Sequence, residues 1–552
     1  MTLLERIASQ QKWTLSLLAV LSAFFFIGLG HFHLFDWDEI NFAESAREMI
    51  ESQNYLRVQI NYLPFWEKPP FFFWLQVAAM KTFGINEFAA RFPNALFGAL
   101  YLFTFYFIGK RHFSPTFGLI WSLVFFASLL PHIYFKSGII DPVFNYFIFL
   151  SIYFMIRFLG KDGEKLWQLA ILSGIFSALS VLTKGPVGFL LLGLTLAVYV
   201  IYKRFKVFPS FKGILFFLVG FAGIIACWVT MEVSQNGWDI LWQFIEYQIE
   251  LFRTPVAGHE QPFYYHFVVV GLGCFPISVL AIPLFYQKKD ETPLDLRRWM
   301  LSLFWVVLIL FSITTTKIIH YSSMTYAPLS FVAALAVYRM MKGEIEIKKY
   351  LRILYLIIGG IVSLAMLVLP IILMERDWLM SITTDPFAVK LIEHSPKWTF
   401  VDMLAGIVFT ISFIAGFIFF RKRNLSNMLL SLAAGTAIAL LVALFTIMPK
   451  VDQLTQGDAI SMYEELQGED CYVESLRKSY AQYFYTRVQP NTRTKEQDLD
   501  WLLRGDIDKP VYIGTRFNRT FLDEIDGFEV VKEKGAFKLY RRMPKAQSSD
   551  PE

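Results

Sequence analysis

Apolar runs of roughly 20 residues recur along the chain, which is the length that an α-helix needs to cross the hydrocarbon core of a bilayer. Short segments rich in lysine and arginine separate them. The composition agrees, because 55% of the 552 residues are hydrophobic and 18% are charged. A soluble enzyme has no need of such runs, so the sequence predicts an all-α polytopic membrane protein.

The apolar windows predict about thirteen membrane-spanning helices. Their approximate limits are 13–34, 89–109, 116–135, 139–158, 167–183, 186–202, 213–231, 265–286, 299–315, 322–340, 351–373, 401–420 and 427–447. The pair 167–183 and 186–202 is short and meets at Lys184-Gly185-Pro186, so a hairpin at the membrane surface is an alternative there.

Basic residues predict the orientation of these helices through the positive-inside rule. With the N-terminus in the cytoplasm, every predicted inside loop carries a basic cluster: Lys110-Arg111; Arg157, Lys161 and Lys165; Lys203, Arg204, Lys206 and Lys212; Lys288, Lys289, Arg297 and Arg298; Arg339, Lys342, Lys348, Lys349 and Arg352; and Arg421, Lys422 and Arg423. We therefore expect a multi-pass protein of the cytoplasmic (inner) membrane, with its C-terminus in the periplasm.

The predicted organisation has two parts. Residues 1–449 form a transmembrane domain with long periplasmic loops at 35–88 and 232–264. Residues 450–552 have an ordinary composition with β-rich runs at 471–473, 510–514 and 537–540 and a helix around 476–486, which predicts a small periplasmic α/β domain. The net charge of +5 is dispersed in loops, which argues against nucleic-acid binding, and the three cysteines have neither disulfide nor metal-site spacing.

An acidic motif follows the first apolar run and includes Asp38 and Arg47. A solvated acidic loop before a surface helix is the simpler interpretation. However, an ionised carboxylate so close to an apolar span is costly unless it is solvated or paired, and acids in such positions are candidates for base chemistry. Asp38 is therefore a candidate catalytic base.

A second motif reads Phe65-Trp66-Glu67-Lys68-Pro69-Pro70, before an aromatic stretch that suits the membrane interface. Lys68 could extend to phosphates of the surrounding lipid. Alternatively, Lys68 and the N-terminus of the following helix bind the phosphate of a substrate, because free backbone N–H groups and the helix dipole both favour anions.

Two further charged residues lie at predicted outer ends of spans. Asp141 precedes Pro142, where a helix N-cap would account for it. Lys184 lies in an almost charge-free stretch, and the cost of a cation in the bilayer argues for a surface position or an anionic partner.

The remaining candidates are His259 in the outer loop and Lys317, His320 and Tyr321 after the ninth span. A lone histidine is usually a surface or packed residue, and the distance of Glu67 from His259 in the sequence gives no metal-site spacing. All the candidate residues nevertheless fall on the same predicted face of the membrane.

These pieces, in this order, resemble the family of membrane glycosyltransferases that contains the lipid A aminoarabinose transferase (ArnT) and, more distantly, the protein O-mannosyltransferases. The matching pieces are Asp38-Glu39, Phe42-Ala43-Glu44, Ala46-Arg47-Glu48-Met49, Glu67-Lys68-Pro69-Pro70, Asp141-Pro142, Lys184-Gly185-Pro186, His259 with Pro262-Phe263-Tyr264-Tyr265, and Lys317 with Tyr321. They extend over about residues 13–330.

The resemblance implies a GT-C fold and an inverting transfer of sugar from a polyprenyl (undecaprenyl) phosphate donor in the membrane. It implies that Asp38 is the catalytic carboxylate and that Asp141 assists at the acceptor or sugar. It further implies that the donor phosphate is held by Arg47, Lys68, Lys184, Lys317 and Tyr321, and that Glu67 and His259 correspond to positions linked to a divalent metal ion.

The acceptor stays open. Lys317-Ile318-Ile319-His320-Tyr321 departs from the Lys-Leu-Pro-x-Tyr expected in close aminoarabinose transferases. Lipid A, another envelope glycan and protein hydroxyls are all candidates. A transporter or flippase is a further alternative, and it would require ionisable residues within spans or inverted repeats, neither of which is evident in the sequence.

Overall fold

The computed structural model describes residues 2–161, 166–253, 261–287, 291–490 and 498–544. It is mostly helical and ends in a small sheet. The N-terminal elements are α1 (Leu3–Ala8), α2 (Gln11–Phe26), α3 (Asp38–Glu51), β1 (Gln59–Ile60), β2 (Leu63–Pro64), α4 (Phe71–Phe83), α5 (Glu87–His112), α6 (Pro115–Phe126), α7 (Leu129–Tyr134) and α8 (Asp141–Leu159).

The central and C-terminal parts continue the helical bundle. The central helices are α9 (Leu166–Lys184), α10 (Val187–Tyr202), α11 (Phe211–Asn236), α12 (Trp238–Arg253), α13 (Tyr265–Gly273), α14 (Ile277–Leu280), α15 (Ile282–Phe285), α16 (Leu296–Ile313), α17 (Tyr326–Met341) and α18 (Lys349–Met374). The last elements are α19 (Arg376–Ile382), α20 (Pro386–Glu393), α21 (Leu404–Arg421), α22 (Leu425–Thr446), α23 (Met448–Asp452), α24 (Asp458–Glu464), β3 (Tyr472–Ser475), α25 (Ala481–Thr486), α26 (Leu499–Arg504), β4 (Val511–Arg516), β5 (Phe528–Lys534) and β6 (Phe537–Arg542).

Eight helical segments in the described ranges are long and apolar enough to cross a membrane. They are Glu87–His112, Asp141–Leu159, Leu166–Lys184, Phe211–Asn236, Pro293–Ile313, Lys349–Met374, Phe400–Arg421 and Leu425–Thr446. The chain is thus a multi-pass membrane protein, while the count of thirteen spans stays a prediction. The other five predicted spans fall on helices that are shorter or broken.

Two of these departures have a clear cause. Pro276 and Pro283 interrupt the predicted span 265–286, because proline removes a backbone donor and clashes with the preceding turn, and three short helices result. The predicted span 322–340 begins as the 3₁₀ helix Ile319–Thr325 and becomes α-helical at Tyr326. This 3₁₀ segment carries His320 and Tyr321 toward the cavity described below.

The segments around Lys184 are separate helices that pack into the bundle. α9 packs against α8 and α11. A Cβ at Gly174 of α9 would lie 2.1 Å from the Phe217 carbonyl oxygen, and one at Gly220 of α11 would lie 2.2 Å from that of Ile171. Small residues thus let these two backbones approach closely, as is common between membrane helices.

The C-terminal part contains a four-stranded sheet in the order β3-β4-β6-β5, in which β3 and β4 are parallel and the other neighbours antiparallel. Three of its strands were predicted from the runs at 471–473, 510–514 and 537–540. The helix expected around 476–486 is the shorter α25. The fourth strand, β5, is largely exposed and was not predicted from the sequence.

The C-terminal part binds the segment between α2 and α3. The His33 Nδ1 and Asp452 Oδ2 atoms lie 2.7 Å apart, and the Leu34 N–H donates to the Tyr485 hydroxyl oxygen at 2.7 Å. The Gln456 amide, in the π-helix Gln453–Gly457, donates to the Leu34 carbonyl at 2.7 Å. These contacts fix the chain just before Asp38.

Candidate active site

A cavity of about 1080 Å³ opens where several helix ends meet. The start of α3, the loop before α4, the start of α8, the end of α9, the 3₁₀ helix Ile319–Thr325 and the end of α22 surround it. Its polar and charged lining residues are Asp36, Asp38, Glu39, Glu67, Lys68, Lys136, Ser137, Asp141, Lys184, Thr314, Thr315, Thr316, His320, Tyr321 and Lys478.

Asp38 is the first residue of α3, where an acid is favoured by the positive end of the helix dipole. Its side chain is 32% exposed, so the carboxylate reaches the cavity. Its Oδ2 atom lies 3.5 Å from the His320 Nε2 atom. This distance is longer than a normal N–H···O hydrogen bond, and it leaves the carboxylate available to a substrate.

Asp141 and Lys184 form an ion pair between the start of α8 and the end of α9. Ile140, and not Asp141, occupies the N-cap position of α8, so capping does not account for this carboxylate. The Lys184 Nζ atom also lies 5.2 Å from the centroid of the Tyr321 ring. Lys184 therefore has the anionic partner that its position in an apolar stretch required.

Lys68 and Glu67 lie in the loop before α4, which begins at Phe71. The Lys68 Nζ atom is 3.7 Å from Glu67 Oε2, and both side chains are partly exposed to the cavity. The Gln248 side chain of α12 donates to the Trp66 carbonyl oxygen at 2.9 Å, which holds this loop in place. The cation thus stands just ahead of a helix N-terminus, a combination that suits a phosphate.

His320 and Tyr321 belong to the 3₁₀ helix, and hydrogen bonds to the His320 backbone hold this segment in place. The Tyr134 hydroxyl and the Ser323 hydroxyl donate to the His320 carbonyl oxygen at 3.3 and 2.5 Å. Burial lowers the pKa of His320 and, together with nearby Lys184 and Lys68, outweighs the opposite effect of Asp141 and Asp38. His320 is therefore neutral at pH 7. Burial raises the pKa of Tyr321, so its hydroxyl remains a hydrogen-bond donor.

Six of the nine predicted site residues line this cavity: Asp38, Glu67, Lys68, Asp141, Lys184 and Tyr321. Arg47 is not among the lining residues, because it is completely buried in α3 and binds both carboxylate oxygens of Glu44, at 2.8 and 2.7 Å. The Lys317 ammonium instead donates to the Gln261 and Thr314 carbonyl oxygens at 2.8 and 2.6 Å. The predicted roles of all nine residues stay predictions.

The predicted metal site involves Glu67 and His259, and Glu67 lies in the described ranges. His259 lies outside them, and within them no three histidine, cysteine or acidic side chains gather in a group that could hold a metal ion. Glu67 faces the cavity, with Lys68 as its nearest charged partner. The metal site at Glu67 and His259 therefore stays a prediction.

Three functional features were not predicted from the sequence. His320 lies close to Asp38, but the two residues are far apart in the chain, so no sequence spacing could predict this contact. Lys136 lines the cavity, but its ammonium donates to the Phe24 and Ile27 carbonyl oxygens at 2.5 and 2.8 Å. It thereby caps the C-terminal end of α2. Lys478 comes from the C-terminal part, where no motif marked it.

Comparisons with known proteins agree with this fold. Residues 67–230 match the family described as dolichyl-phosphate-mannose-protein mannosyltransferase. An uncharacterized protein of Aquifex aeolicus is 28% identical over 63% of this chain and 76% of its own length. The undecaprenyl phosphate-alpha-4-amino-4-deoxy-L-arabinose arabinosyl transferase of Wigglesworthia glossinidia brevipalpis is 26% identical over 66% of this chain, and the match spans 65% of that relative's length.

A solved structure extends the likeness to almost the whole chain. ArnT from Cupriavidus metallidurans bound to undecaprenyl phosphate matches with a TM-score of 0.77 over 98% of this chain and 99% of that one, at 19% identity. The same protein in the apo state gives a TM-score of 0.75. At this identity the match establishes the fold. The chain has the GT-C fold of ArnT, and its sequence is similar to those of arabinosyl transferases and of the mannosyltransferase family.

Proposed function

We propose that this enzyme is an inverting glycosyltransferase that moves a sugar from a polyprenyl phosphate, such as undecaprenyl phosphate, to a cell-envelope acceptor such as lipid A. One observation carries the proposal: a large cavity brings the partly exposed carboxylate of Asp38 together with the Lys68 and Lys184 cations and the Tyr321 phenol, which come from other helix ends. Its volume of about 1080 Å³ is at the upper end for small-molecule sites, which leaves room for a sugar, its phosphate and an acceptor group.

Catalysis of such a transfer depends mainly on neutralising the leaving group. The bond between the sugar C1 atom and the phosphate oxygen breaks, and the polyprenyl phosphate leaves with the bonding electrons. A phosphate monoester is already a good leaving group when its charge is balanced, so it needs cations more than a proton donor. Lys68, Lys184 and the Tyr321 hydroxyl would supply that balance.

Asp38 would accept the proton of the acceptor hydroxyl as its oxygen forms the new bond to C1. A single displacement of this kind inverts the configuration at C1 and needs no second carboxylate as nucleophile. Neutral His320, 3.5 Å away, would leave the charge of this carboxylate intact. Asp141, held by Lys184, would orient the sugar or acceptor.

The donor assignment draws on the relatives. The arabinosyl transferases similar to this chain are named for undecaprenyl phosphate, and the ArnT structure with the same fold was solved with that lipid bound. Basic inside loops support the orientation in which the cavity and the C-terminal domain face the periplasm. The apolar helices around the cavity would keep the donor lipid in the bilayer.

Protein is a second candidate acceptor. The match to a dolichyl-phosphate-mannose-protein mannosyltransferase family over residues 67–230 favours it, because this stretch includes Lys68, Asp141 and Lys184. Glycosylated envelope protein beside unmodified lipid would identify this alternative. A transporter, by contrast, would move a lipid or solute and leave the envelope glycans unchanged when Asp38 is neutralised.

The test compares cells that express the wild type, the Asp38→Asn variant or the control Asp239→Asn, whose exposed site lies on α12. Mass spectrometry of lipid A, other envelope glycans and envelope proteins should show a modification with the wild type and the control that is absent with Asp38→Asn. Identical profiles with wild type and with Asp38→Asn in all three pools would refute the proposal.

A further inference from the structure

We propose that Lys478, supplied by the C-terminal domain, binds an anionic group of the acceptor beside Asp38. The inference rests on the proposed function and extends it, since it adds a substrate-binding residue and gives the acceptor a chemical property. A phosphate or carboxylate close to the acceptor hydroxyl is the kind of group that an ammonium at this position would take.

The first support is the position of Lys478. Its exposed side chain forms part of the cavity wall, and its Nζ atom lies 4.9 Å from the centroid of the Trp37 ring. Trp37 directly precedes Asp38 and also lines the cavity, and its ring packs on Tyr480 with centroids 4.6 Å apart. Lys478 of the soluble domain therefore places a cation on the same side of the cavity as Asp38.

The second support is the lack of an acidic partner. Lys68 has Glu67 at 3.7 Å, and Lys184 has Asp141. Within the part of the chain that the structure describes, the Lys478 ammonium makes neither an ion pair nor a hydrogen bond, and it lies over the Trp37 ring. A cation held over an aromatic face retains its full charge for a ligand.

The third support is that the segment carrying Lys478 is anchored. The Arg477 N–H donates to the Ser475 hydroxyl at 3.2 Å, and the Ala481 N–H donates to the hydroxyl of buried Ser479 at 3.1 Å. The same domain holds residues 33–36 through Asp452, Gln456 and Tyr485. Lys478 is therefore presented at a fixed place and not on a loose tail.

The location also favours the acceptor over the donor. The groups proposed for the donor phosphate, Lys68, Lys184 and the Tyr321 hydroxyl, come from the loop before α4, the end of α9 and the 3₁₀ helix. Lys478 instead adjoins Trp37, and the acceptor hydroxyl must reach the carboxylate of the next residue. A soluble domain is also suited to a polar acceptor, whereas the lipid tail of the donor remains among the apolar helices.

The experiment uses full-length protein in nanodiscs of phosphatidylcholine, a lipid without net charge. One arm measures binding of undecaprenyl phosphate to the wild type and to the Lys478→Ala, Lys478→Arg and Lys68→Ala variants. The other arm measures initial transfer rates against increasing amounts of an envelope extract from cells that lack the gene. Lys509→Ala is the matched control, because Lys509 lies on the same domain, pairs with Asp470 and is absent from the cavity wall.

We expect Lys478→Ala to raise the KM for the acceptor about tenfold and to leave kcat within about twofold of the wild type. The reason is that the variant loses one charged contact that contributes to substrate binding. Lys478→Arg should restore most of the affinity, while undecaprenyl phosphate binding and the Lys509→Ala rates should match the wild type. Unchanged acceptor KM in Lys478→Ala would overturn the inference, and so would a loss of undecaprenyl phosphate binding equal to that of Lys68→Ala. If the wild type transfers no sugar at all, the proposed function itself fails.

Discussion

The acidic motif at residues 36–49 divides into two regions with opposite surroundings. Asp38, at the start of α3, is one-third exposed and faces the cavity. Glu44, Arg47 and Glu48, farther along the same helix, are completely buried. Charged residues that look equivalent in the sequence thus serve different ends, because the helix directs its first turn to the cavity and its later turns into the protein.

The buried region is a network that holds the chain around the cavity. Glu48 accepts hydrogen bonds from the backbone N–H groups of Asn61 and Tyr62, at 2.5 and 2.7 Å. Burial raises the pKa of Glu48, and the neighbouring Glu44 carboxylate raises it further. Buried ion pairs add little net stability but are costly to break, so loss of a single partner in this region would destabilise the fold.

Glu39 connects the two regions. Its carboxylate accepts from Arg91 at 3.0 and 2.8 Å and from the backbone N–H of Phe35 at 2.9 Å. The Arg91 guanidinium also donates to the carbonyl oxygens of Leu29 and His33 at 2.7 and 2.8 Å. The pair therefore ties the turn before Asp38 to α5. The comparison predicts that cavity residues control rate and buried residues control stability.

The largest effect is expected from Asp38→Asn. It should lower kcat by about a thousandfold to ten-thousandfold, because it removes the proposed base and leaves the buried network intact. Steady-state transfer by the purified enzyme measures the rate, and thermal unfolding in detergent should give the wild-type midpoint. A stable variant with normal turnover would remove Asp38 from the chemistry.

Arg91→Met should have the next largest effect, and this effect should be on stability and not mainly on the transfer rate. It leaves the Glu39 carboxylate buried without its cation, which costs about 3–5 kcal/mol of unfolding free energy. The thermal midpoint measures this loss, and the double variant with Glu39→Gln should recover part of it. If the single variant unfolds at the wild-type temperature but loses activity, the division between the two regions is wrong.

Lys68→Ala tests the cavity at a second point. Loss of one cation at the leaving phosphate should reduce kcat about a hundredfold and weaken undecaprenyl phosphate binding, with no change in the thermal midpoint. Lys390→Ala is the control and should behave as the wild type, because Lys390 is partly exposed, pairs with Glu393 and is absent from the cavity wall. Equal behaviour of the two variants would count against a phosphate site at Lys68.

The smallest effect is a dependence on pH through His320. Its folded pKa is below the usual 6.5, so it stays neutral above that value and gains a proton as the pH falls through the folded pKa. The imidazolium would then pair with Asp38 and weaken the base, so kcat should decline on the acid side. His320→Gln should make this acid limb shallower in a kcat–pH profile, and an unaltered limb would exclude His320 as its cause.

The same histidine affects stability with a definite sign. The unfolded chain binds the proton more readily than the fold, so acidification below about pH 6.5 should favour unfolding. This contribution is present above pH 6.5 and is lost as the pH falls through the folded pKa. Thermal midpoints of the wild type and His320→Gln at pH 5.5 and 7.5 would measure it.

The sequence predicted features that depend on local pattern. The length of the apolar runs predicted the membrane helices, and β-rich runs predicted three of the four strands in the C-terminal sheet. Asp38, Lys68 and Lys184 were found because charge next to apolar spans is costly and thus informative.

Features made by distant parts of the chain were not predicted. Arg91 lies within a predicted span and was not identified as a candidate. The signal that could have identified it is an arginine among apolar residues. Arg47 was assigned to the donor phosphate with the rest of its motif, and only packing shows that Glu44 holds it. Lys478 lies in a domain without motifs, so tertiary contact alone brings it to the cavity.

The contact between residues 33–36 and the C-terminal domain has a consequence for how the enzyme is made. His33 and Asp452 are 419 positions apart, and the wall of the cavity beside Asp38 is completed only after Lys478 has been synthesised. A nascent or prematurely terminated chain would insert its helices without a finished reaction centre. Such a product would occupy the membrane as an inert protein.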